Sequence, residues 1–129
     1  MLLALVLLTA TAMAETNMAS GIVTNVVSGD TIYVEGVGYV RMAGVQSPYI
    51  ETYYGWKAQE YTCSMLMGTM VFVDPSGGVD KSGSLFATVY PSGPDGKPNL
   101  NANFNRLLLQ GGYAAVYTGE APPENYLAC

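Results

Sequence analysis

Positive charge is scarce in this chain. Its 129 residues include five cations against ten acids, which gives a formal net charge of −5 and a sequence pI of about 4.3. Because phosphate backbones are held by clustered lysine and arginine, scattered cations disfavour tight non-specific binding to nucleic acids or nucleotides. The cations are Arg41, Lys57, Lys81, Lys97 and Arg106, and they form no cluster in the sequence.

Charged residues of either sign and long apolar runs are also few. Charged residues make up 12% of the sequence and hydrophobic residues 50%, a balance that argues against a disordered chain. The length suits one domain with one modest core. No run after residue 14 is apolar enough to span a bilayer, and no repeat appears. We therefore expect a single globular domain that is a monomer.

One apolar run lies at the start of the chain. Residues 2–14 are too short for a membrane helix, and they end in Ala12-Met13-Ala14, a small-x-small cleavage pattern. The polar residue Glu15 follows directly. This pattern predicts a secretory signal peptide, and therefore a secreted, cell-envelope or periplasmic protein.

The predicted division of the chain is a signal peptide at residues 1–14, a short linker at 15–20 and one domain at 21–129. The basic residues that usually precede the apolar run of a signal peptide are missing. Three alternatives therefore stay open: a start upstream of Met1, a weak export signal, or a buried N-terminal helix.

The sequence has two cysteines, Cys63 and Cys129. An exported chain permits a disulfide between them. The alternative is a buried thiol at Cys63 and a terminal residue of no consequence. Both hypotheses remain open at this stage.

Strand and helix signals alternate in a simple order. Segments rich in β-branched residues are separated by glycine-containing turns, and two segments have helix-compatible apolar spacing. Together they predict an α+β fold, a five-stranded OB-type β-barrel with two to three packed helices. The predicted strands cover residues 21–27, 31–34, 39–45, 70–73 and 85–90, the helices cover 54–68 and 99–110, and a third helix begins at Pro122.

Several local motifs occur along this pattern. Each motif alone is weak evidence, but their joint order resembles the thermonuclease, or staphylococcal nuclease-like, family over residues 21 to about 129. The motifs are the turn Ser28-Gly29-Asp30-Thr31, the segment from Arg41 to Pro48, the helix start Tyr54-Gly55-Trp56-Lys57-Ala58, the strand Phe86-Ala87-Thr88-Val89-Tyr90 after a glycine turn, and an asparagine-rich start of the second helix.

The resemblance implies a calcium-dependent endonuclease that hydrolyses DNA or RNA. In that family two aspartates and a loop carbonyl hold the metal, a glutamate activates water and two arginines hold the phosphate. By position, Asp30 corresponds to the first aspartate, the Ser47 carbonyl to the metal ligand and Arg41 to the first arginine.

Three other positions depart from the family pattern. Gln46 replaces the second aspartate and keeps a ligand oxygen but loses a charge, so calcium binding should be weak. Tyr49 replaces the glutamate, and a phenol with a pKa near 10 is a poor base at neutral pH. Ser84 replaces the second arginine, and losing such a donor commonly costs about 100-fold or more in rate. Tyr49, Tyr54 and Ser84 remain candidate substrate contacts.

Some residues could compensate for these losses. In an extended segment residues i and i+2 face the same way, so Glu51 could supply the base that Tyr49 lacks. Lys57 or Lys81 could approach a phosphate, although an ammonium lacks the bidentate fork of a guanidinium.

Structural alternatives exist for the same residues. Asp30 is also a common turn residue whose carboxylate bonds nearby backbone, and Arg41 could pair with Asp30 or Glu51 without any catalysis. Tyrosines 33, 39, 49, 53 and 54 could stack bases or sugars, or they could be ordinary strand and rim residues.

Three function classes follow. The first, which we favour, is an exported, non-catalytic or catalytically impaired module on a thermonuclease-like barrel with a degenerate site, which binds nucleic acid or another ligand. The second is a calcium-dependent endonuclease that uses Asp30, Arg41 and Glu51. The third is an incomplete product in which the last helix is truncated and apolar surface stays uncovered.

Overall fold

The computed structural model describes residues 18–117. Five strands form a closed barrel in the order β1-β2-β3-β6-β5, and β4 and β7 form a separate two-stranded sheet. Among the barrel strands, β3 and β6 are parallel and the other neighbours are antiparallel. The elements are β1 (Ala19–Ser28), β2 (Thr31–Val34), β3 (Gly38–Met42), β4 (Val45–Gln46), α1 (Tyr53–Leu66), β5 (Met70–Val79), β6 (Leu85–Pro91), α2 (Phe104–Gln110) and β7 (Ala115–Val116).

The period-2 pattern of the strands builds the barrel core. In β3, Val40 and Met42 are buried, whereas Tyr39 is exposed and Arg41 is half-buried on the outer face, as the alternation predicts. Valines and other apolar residues of all five barrel strands meet inside, and Leu66, Phe104 and Leu108 of the two helices cover the barrel. The predicted α+β fold, with a five-stranded barrel and two helices, is confirmed.

Helix α1 begins where Thr52 caps it, because the Thr52 hydroxyl accepts a hydrogen bond from the Gly55 N–H at 3.0 Å. Its buried face carries small residues, so it lies close to the turn between β1 and β2. The Thr62 hydroxyl donates a 2.6 Å hydrogen bond to the Gly29 carbonyl, and Ala58 is fully buried. This contact fixes the turn that carries Asp30.

Helix α2 is anchored to the barrel by a buried amide. Asn103 caps the helix at its N-terminus, because its side chain accepts from the Arg106 N–H. The Asn105 side chain donates to the carbonyls of Ala43 and Ala87 at 2.9 and 3.0 Å and accepts from the Val89 N–H at 3.1 Å. Three backbone groups next to the parallel β3–β6 pair are thereby satisfied.

Some predicted boundaries were wrong. Strand β1 begins at Ala19, inside the segment assigned to a linker, and α2 begins at Phe104, not at residue 99, because Asn103 caps it. Strand β5 continues through the predicted connection to Val79, with a register shift between Pro75 and Val79 that accommodates the glycines.

Other predictions fall partly or wholly outside residues 18–117, among them the signal peptide, the helix from Pro122 and Cys129. Cys63 is exposed on α1, so the hypothesis of a buried thiol was wrong. Its pairing with Cys129 stays a prediction. Neither described helix is long and apolar enough to cross a membrane.

Candidate functional site

Asp30 lies in the turn between β1 and β2, and the residue is 5% exposed. The hydroxyls of Ser28 and Thr31 donate to its Oδ1 at 2.8 and 2.9 Å. The Ser47 N–H donates to its Oδ2 at 3.0 Å. Both carboxylate oxygens thus accept hydrogen bonds from the protein, and the one to Ser47 joins the turn to the loop before α1. This arrangement matches the structural role considered for Asp30.

Gln46 is the last residue of β4 in the small sheet. Ser47 follows it and contacts the turn through Asp30. Gln46 pairs with Ala115 across β4 and β7, and its side chain is half-buried. Ser47 is buried, and its hydroxyl has no hydrogen-bond partner among the described residues. The structure therefore brings Ser47 to Asp30 through its backbone N–H, the group that cannot bind a cation.

Tyr49 and Glu51 belong to a turn. The Thr52 N–H donates to the Tyr49 carbonyl at 3.0 Å, and the Thr52 hydroxyl also donates to that carbonyl, at 2.6 Å. Both side chains are exposed. The extended geometry that would have aligned Glu51 with Tyr49 is absent, so that argument for Glu51 as a base was wrong. Thr52 as a helix cap was the signal in the sequence that could have indicated the turn.

Arg41 projects from β3 and is held by three side chains. Its Nη1 lies 3.6 Å from Asp80 Oδ2. Its guanidinium carbon lies 5.8 Å from the centre of the Phe86 ring and 5.2 Å from that of Tyr117, distances at which a cation is attracted to the ring face. The interpretation that Arg41 pairs with Asp30 or Glu51 was wrong. The aspartate that pairs with it lies 39 residues further along the chain.

Asp80 organises the tight turn between β5 and β6. Its Oδ1 accepts from the N–H groups of Ser82 and Ser84, each at 2.9 Å, and from the Ser82 hydroxyl at 2.7 Å. Ser84 is buried, so the position where the family would place a second arginine holds a small side chain inside this turn. One carboxylate oxygen of Asp80 fixes the turn and the other faces Arg41.

The environment of Asp80 acts on its ionisation in two directions. Burial raises the pKa of Asp80, but hydrogen bonds from Ser82 and Ser84, together with the charge of Arg41, outweigh burial and leave that pKa below its ordinary value. A carboxyl with a lowered pKa stabilises the folded state above its unfolded pKa, about 3.9, and this contribution is lost as pH falls through the folded pKa.

We therefore expect Asp80→Asn to be less stable than the wild type by about 1–2 kcal/mol at pH 7, with the difference shrinking below about pH 4. Denaturant unfolding at several pH values measures this. Asp95→Asn is the matched control, because Asp95 also accepts a turn N–H but is exposed and forms no ion pair with a described residue. A difference between Asp80→Asn and the wild type that is independent of pH would contradict the assignment.

The lysines considered as phosphate contacts differ in their surroundings. Lys57 donates to Glu60 at 3.1 Å on the exposed side of α1, and this hydrogen bond raises the pKa of Lys57. Lys81 is exposed in the turn that Asp80 organises. The charge of Lys57 is thus already balanced by a neighbouring carboxylate.

The tyrosines form two separate pairs. Tyr33 and Tyr39 lie opposite each other on β2 and β3 with ring centres 4.8 Å apart. Tyr53 and Tyr54 meet at the start of α1 with ring centres 5.2 Å apart. Tyr49 contacts neither pair through its ring within the described part of the chain. The structure does not gather these five side chains into one platform.

The donor set fits a calcium ion poorly. Calcium takes six to eight oxygen ligands and prefers carboxylates. Asp30 supplies one carboxylate whose two oxygens already accept three hydrogen bonds. Within residues 18–117 no three acidic, histidine or cysteine side chains come together. A calcium ion at Asp30 would share a carboxylate that already accepts three hydrogen bonds, and no second described carboxylate joins it there.

Comparison of the sequence with models of known protein families identifies one match. Residues 39–128, more than half of the chain, match the family model described as staphylococcal nuclease homologue. The matched range includes Arg41, Gln46, Tyr49 and Ser84 and begins after Asp30. A search of curated proteins found no match.

Proposed function

The chain belongs to the staphylococcal nuclease homologue family, and on that premise we propose that it is an exported, catalytically impaired member that binds a ligand without efficiently hydrolysing phosphodiesters. The family is one of nucleases that use calcium and bind nucleic acids. The observation that carries the proposal is the set of contacts that two charged side chains make within the protein. Asp30 and Arg41 are the charged groups retained at the family's reactive positions. Asp30 accepts three hydrogen bonds from the protein, and Arg41 lies 3.6 Å from the Asp80 carboxylate, although its buried Nε has no hydrogen-bond partner among the described residues.

The phosphate-binding side of the site supports impairment. An anionic ester that approached Arg41 would compete with the Asp80 carboxylate, which the β5–β6 turn holds in place. Ser84 offers a hydroxyl where a guanidinium would stabilise developing charge. A donor of that kind commonly contributes about 100-fold or more to the rate.

The water-activating side supports the same conclusion. Tyr49 is a phenol, which stays protonated at neutral pH and is a weak base. Glu51 is exposed in the turn that precedes α1, and it makes no hydrogen bond or ion pair with another described residue. Neither side chain is fixed by a hydrogen bond to a described residue, as the orientation of a catalytic water molecule would require.

Export rests on the sequence alone. The apolar residues 2–14 and the small-x-small motif that ends them are typical of a signal peptide. The net charge of −5 disfavours polyanionic ligands. An exported module that binds a ligand of low negative charge accounts for these features together with the altered site.

The decisive assay is release of acid-soluble nucleotides from single-stranded DNA at millimolar calcium and in chelator. We expect the wild type to match a protein-free blank in both. A Gln46→Asp/Tyr49→Glu variant restores two of the family's carboxylates and leaves the buried Ser84 unchanged. It should gain calcium-dependent release, because it regains a second carboxylate ligand and a base.

Two single variants serve as controls on the wild-type background. Glu51→Gln removes the alternative base, and Arg41→Ala removes the retained arginine. Wild-type turnover that depends on calcium and is abolished by both changes would overturn the proposal in favour of a calcium-dependent endonuclease using Asp30, Arg41 and Glu51.

A further inference from the structure

A shallow groove, the α1 groove, runs between β1 and the exposed face of α1. Asn25 of β1 lies on one side, and Trp56, Gln59, Ser64 and Met67 lie along the helix. The rise of 1.5 Å per residue makes the distance from Trp56 to Met67 about 16 Å. None of these residues belongs to the altered nuclease site.

Trp56 lines one end of the α1 groove, and two exposed tyrosines, Tyr53 and Tyr54, stand beside it outside the groove lining. Trp56 is 50% exposed and Tyr53 is 64% exposed. Their ring centres are 6.4 Å apart, and Tyr54 meets Tyr53 edge to face at 5.2 Å. Three large rings therefore stand together on one helical turn with much of their surface in water. A contiguous exposed aromatic patch of this kind is typical of a binding surface.

The remainder of the α1 groove combines the apolar side chains of Val26, Cys63 and Met67 with neutral hydrogen-bonding groups. The Gln59 amide nitrogen donates to the Val26 carbonyl at 3.1 Å, which fixes the side chain and leaves its oxygen without a partner in the described region. Asn25 is exposed, and its side chain makes no hydrogen bond to another residue of the 18–117 range. The Ser64 hydroxyl donates to the Tyr61 carbonyl and keeps its acceptor capacity.

The charges around the α1 groove argue against an anionic ligand. Glu60 is the charged residue that lines it. Lys57 pairs with Glu60 at 3.1 Å, and its ammonium lies over the Trp56 ring, 5.5 Å from the ring centre. The surface there has no excess positive charge, and the protein as a whole carries −5. A polyanion gains nothing from such a surface, because its phosphates require lysine or arginine.

We propose that the α1 groove binds a neutral oligosaccharide. A sugar ring presents an apolar C–H face and a rim of hydroxyls, which matches an amphipathic aromatic end followed by amide and hydroxyl groups. The C–H face of a sugar stacks on the face of Trp56 that the Lys57 ammonium leaves open, and the hydroxyls bond to Asn25 and Gln59. This ligand class rests on the proposed function, because it specifies what the proposed binding module binds.

Titration of the wild type with chitohexaose and cellohexaose tests this inference. Trp56 is the single tryptophan of the chain, so its fluorescence reports directly on the α1 groove. We expect saturable change with at least one of the two sugars and none with the oligonucleotide dT6. Calorimetry then compares variants: Trp56→Ala should weaken binding at least about tenfold, and Trp56→Phe should retain part of it.

Tyr39→Ala is the matched control, because Tyr39 is 51% exposed but does not line the α1 groove; it should bind like the wild type. Absence of sugar binding up to about 10 mM, binding that Trp56→Ala leaves unchanged in a folded variant, saturable binding of dT6 instead, or self-association through the patch in sedimentation would each overturn the proposal. A wild type that cleaves DNA and also binds sugar would contradict only the proposed loss of catalysis.

Discussion

Replacing Gly55 with alanine is expected to destabilise the protein by about 3 kcal/mol or more, although the same change in an ordinary helix stabilises it by up to about 1 kcal/mol. A methyl group at this position would overlap the Tyr49 carbonyl oxygen and would lie 2.9 Å from the carbonyl oxygen of Pro48. Both obstacles are backbone atoms, so a side-chain rotation cannot relieve the clash. Either α1 or the loop before it must move.

Thermal unfolding by circular dichroism measures this effect. A loss of about 3 kcal/mol corresponds to a lower melting temperature by more than about 10 °C in a domain of this size. Ser64→Ala is the matched control on the same helix, because Ser64 is exposed and its hydroxyl bonds only the Tyr61 carbonyl; its melting temperature should stay the same or rise slightly. A Gly55→Ala variant as stable as the wild type would show that the loop yields easily.

Asn105→Asp should cost about 3–5 kcal/mol at pH 7, because it places an unpaired charge in a buried position. The Asn105 amide donates to the carbonyls of Ala43 and Ala87, and a carboxylate offers no donor to either oxygen. Its position near the start of α2 would return only about 0.3–1 kcal/mol through the helix dipole. Burial and the facing carbonyls should raise the pKa of the new carboxyl above its unfolded value.

The sign of the pH effect distinguishes this mechanism from simple loss of packing. Because the folded pKa is raised, the penalty should ease as pH falls toward the unfolded value near 4, where the acid is protonated and can donate again. Denaturant unfolding from pH 4 to 8 measures it. Asn101→Asp makes the same charge change at an exposed position and should be nearly neutral. A pH-independent loss for Asn105→Asp would contradict the donor role.

Local patterns predicted the barrel because strand alternation depends only on neighbouring residues. Val40 and Met42 point inward and Arg41 outward for that reason. The partner of Arg41 could not be predicted in the same way, because Asp80 reaches it only after β5 and β6 have paired and their turn has formed. The three hydrogen bonds of Asn105 likewise depend on where α2 packs on the barrel.

In the candidate site, too, the sequence predicted some features and not others. The substitutions at Gln46, Tyr49 and Ser84 were visible from the family resemblance, since they concern residue identity. The exposed turn that holds Glu51 was missed, because an extended segment was assumed where Thr52 caps the helix. The signal for this turn was available in the threonine itself.

The parallel contact between β3 and β6 has a consequence for the order of folding. It joins Val40 to Leu85, so its formation requires closing a long loop, whereas β1, β2 and β3 pair through short turns. Loop-closure entropy therefore weighs on this contact and on that of β1 with β5, which joins Ala19 to Val73. We therefore expect the three-stranded meander to assemble early and the pairings of β6 with β3 and of β5 with β1 to close the barrel last.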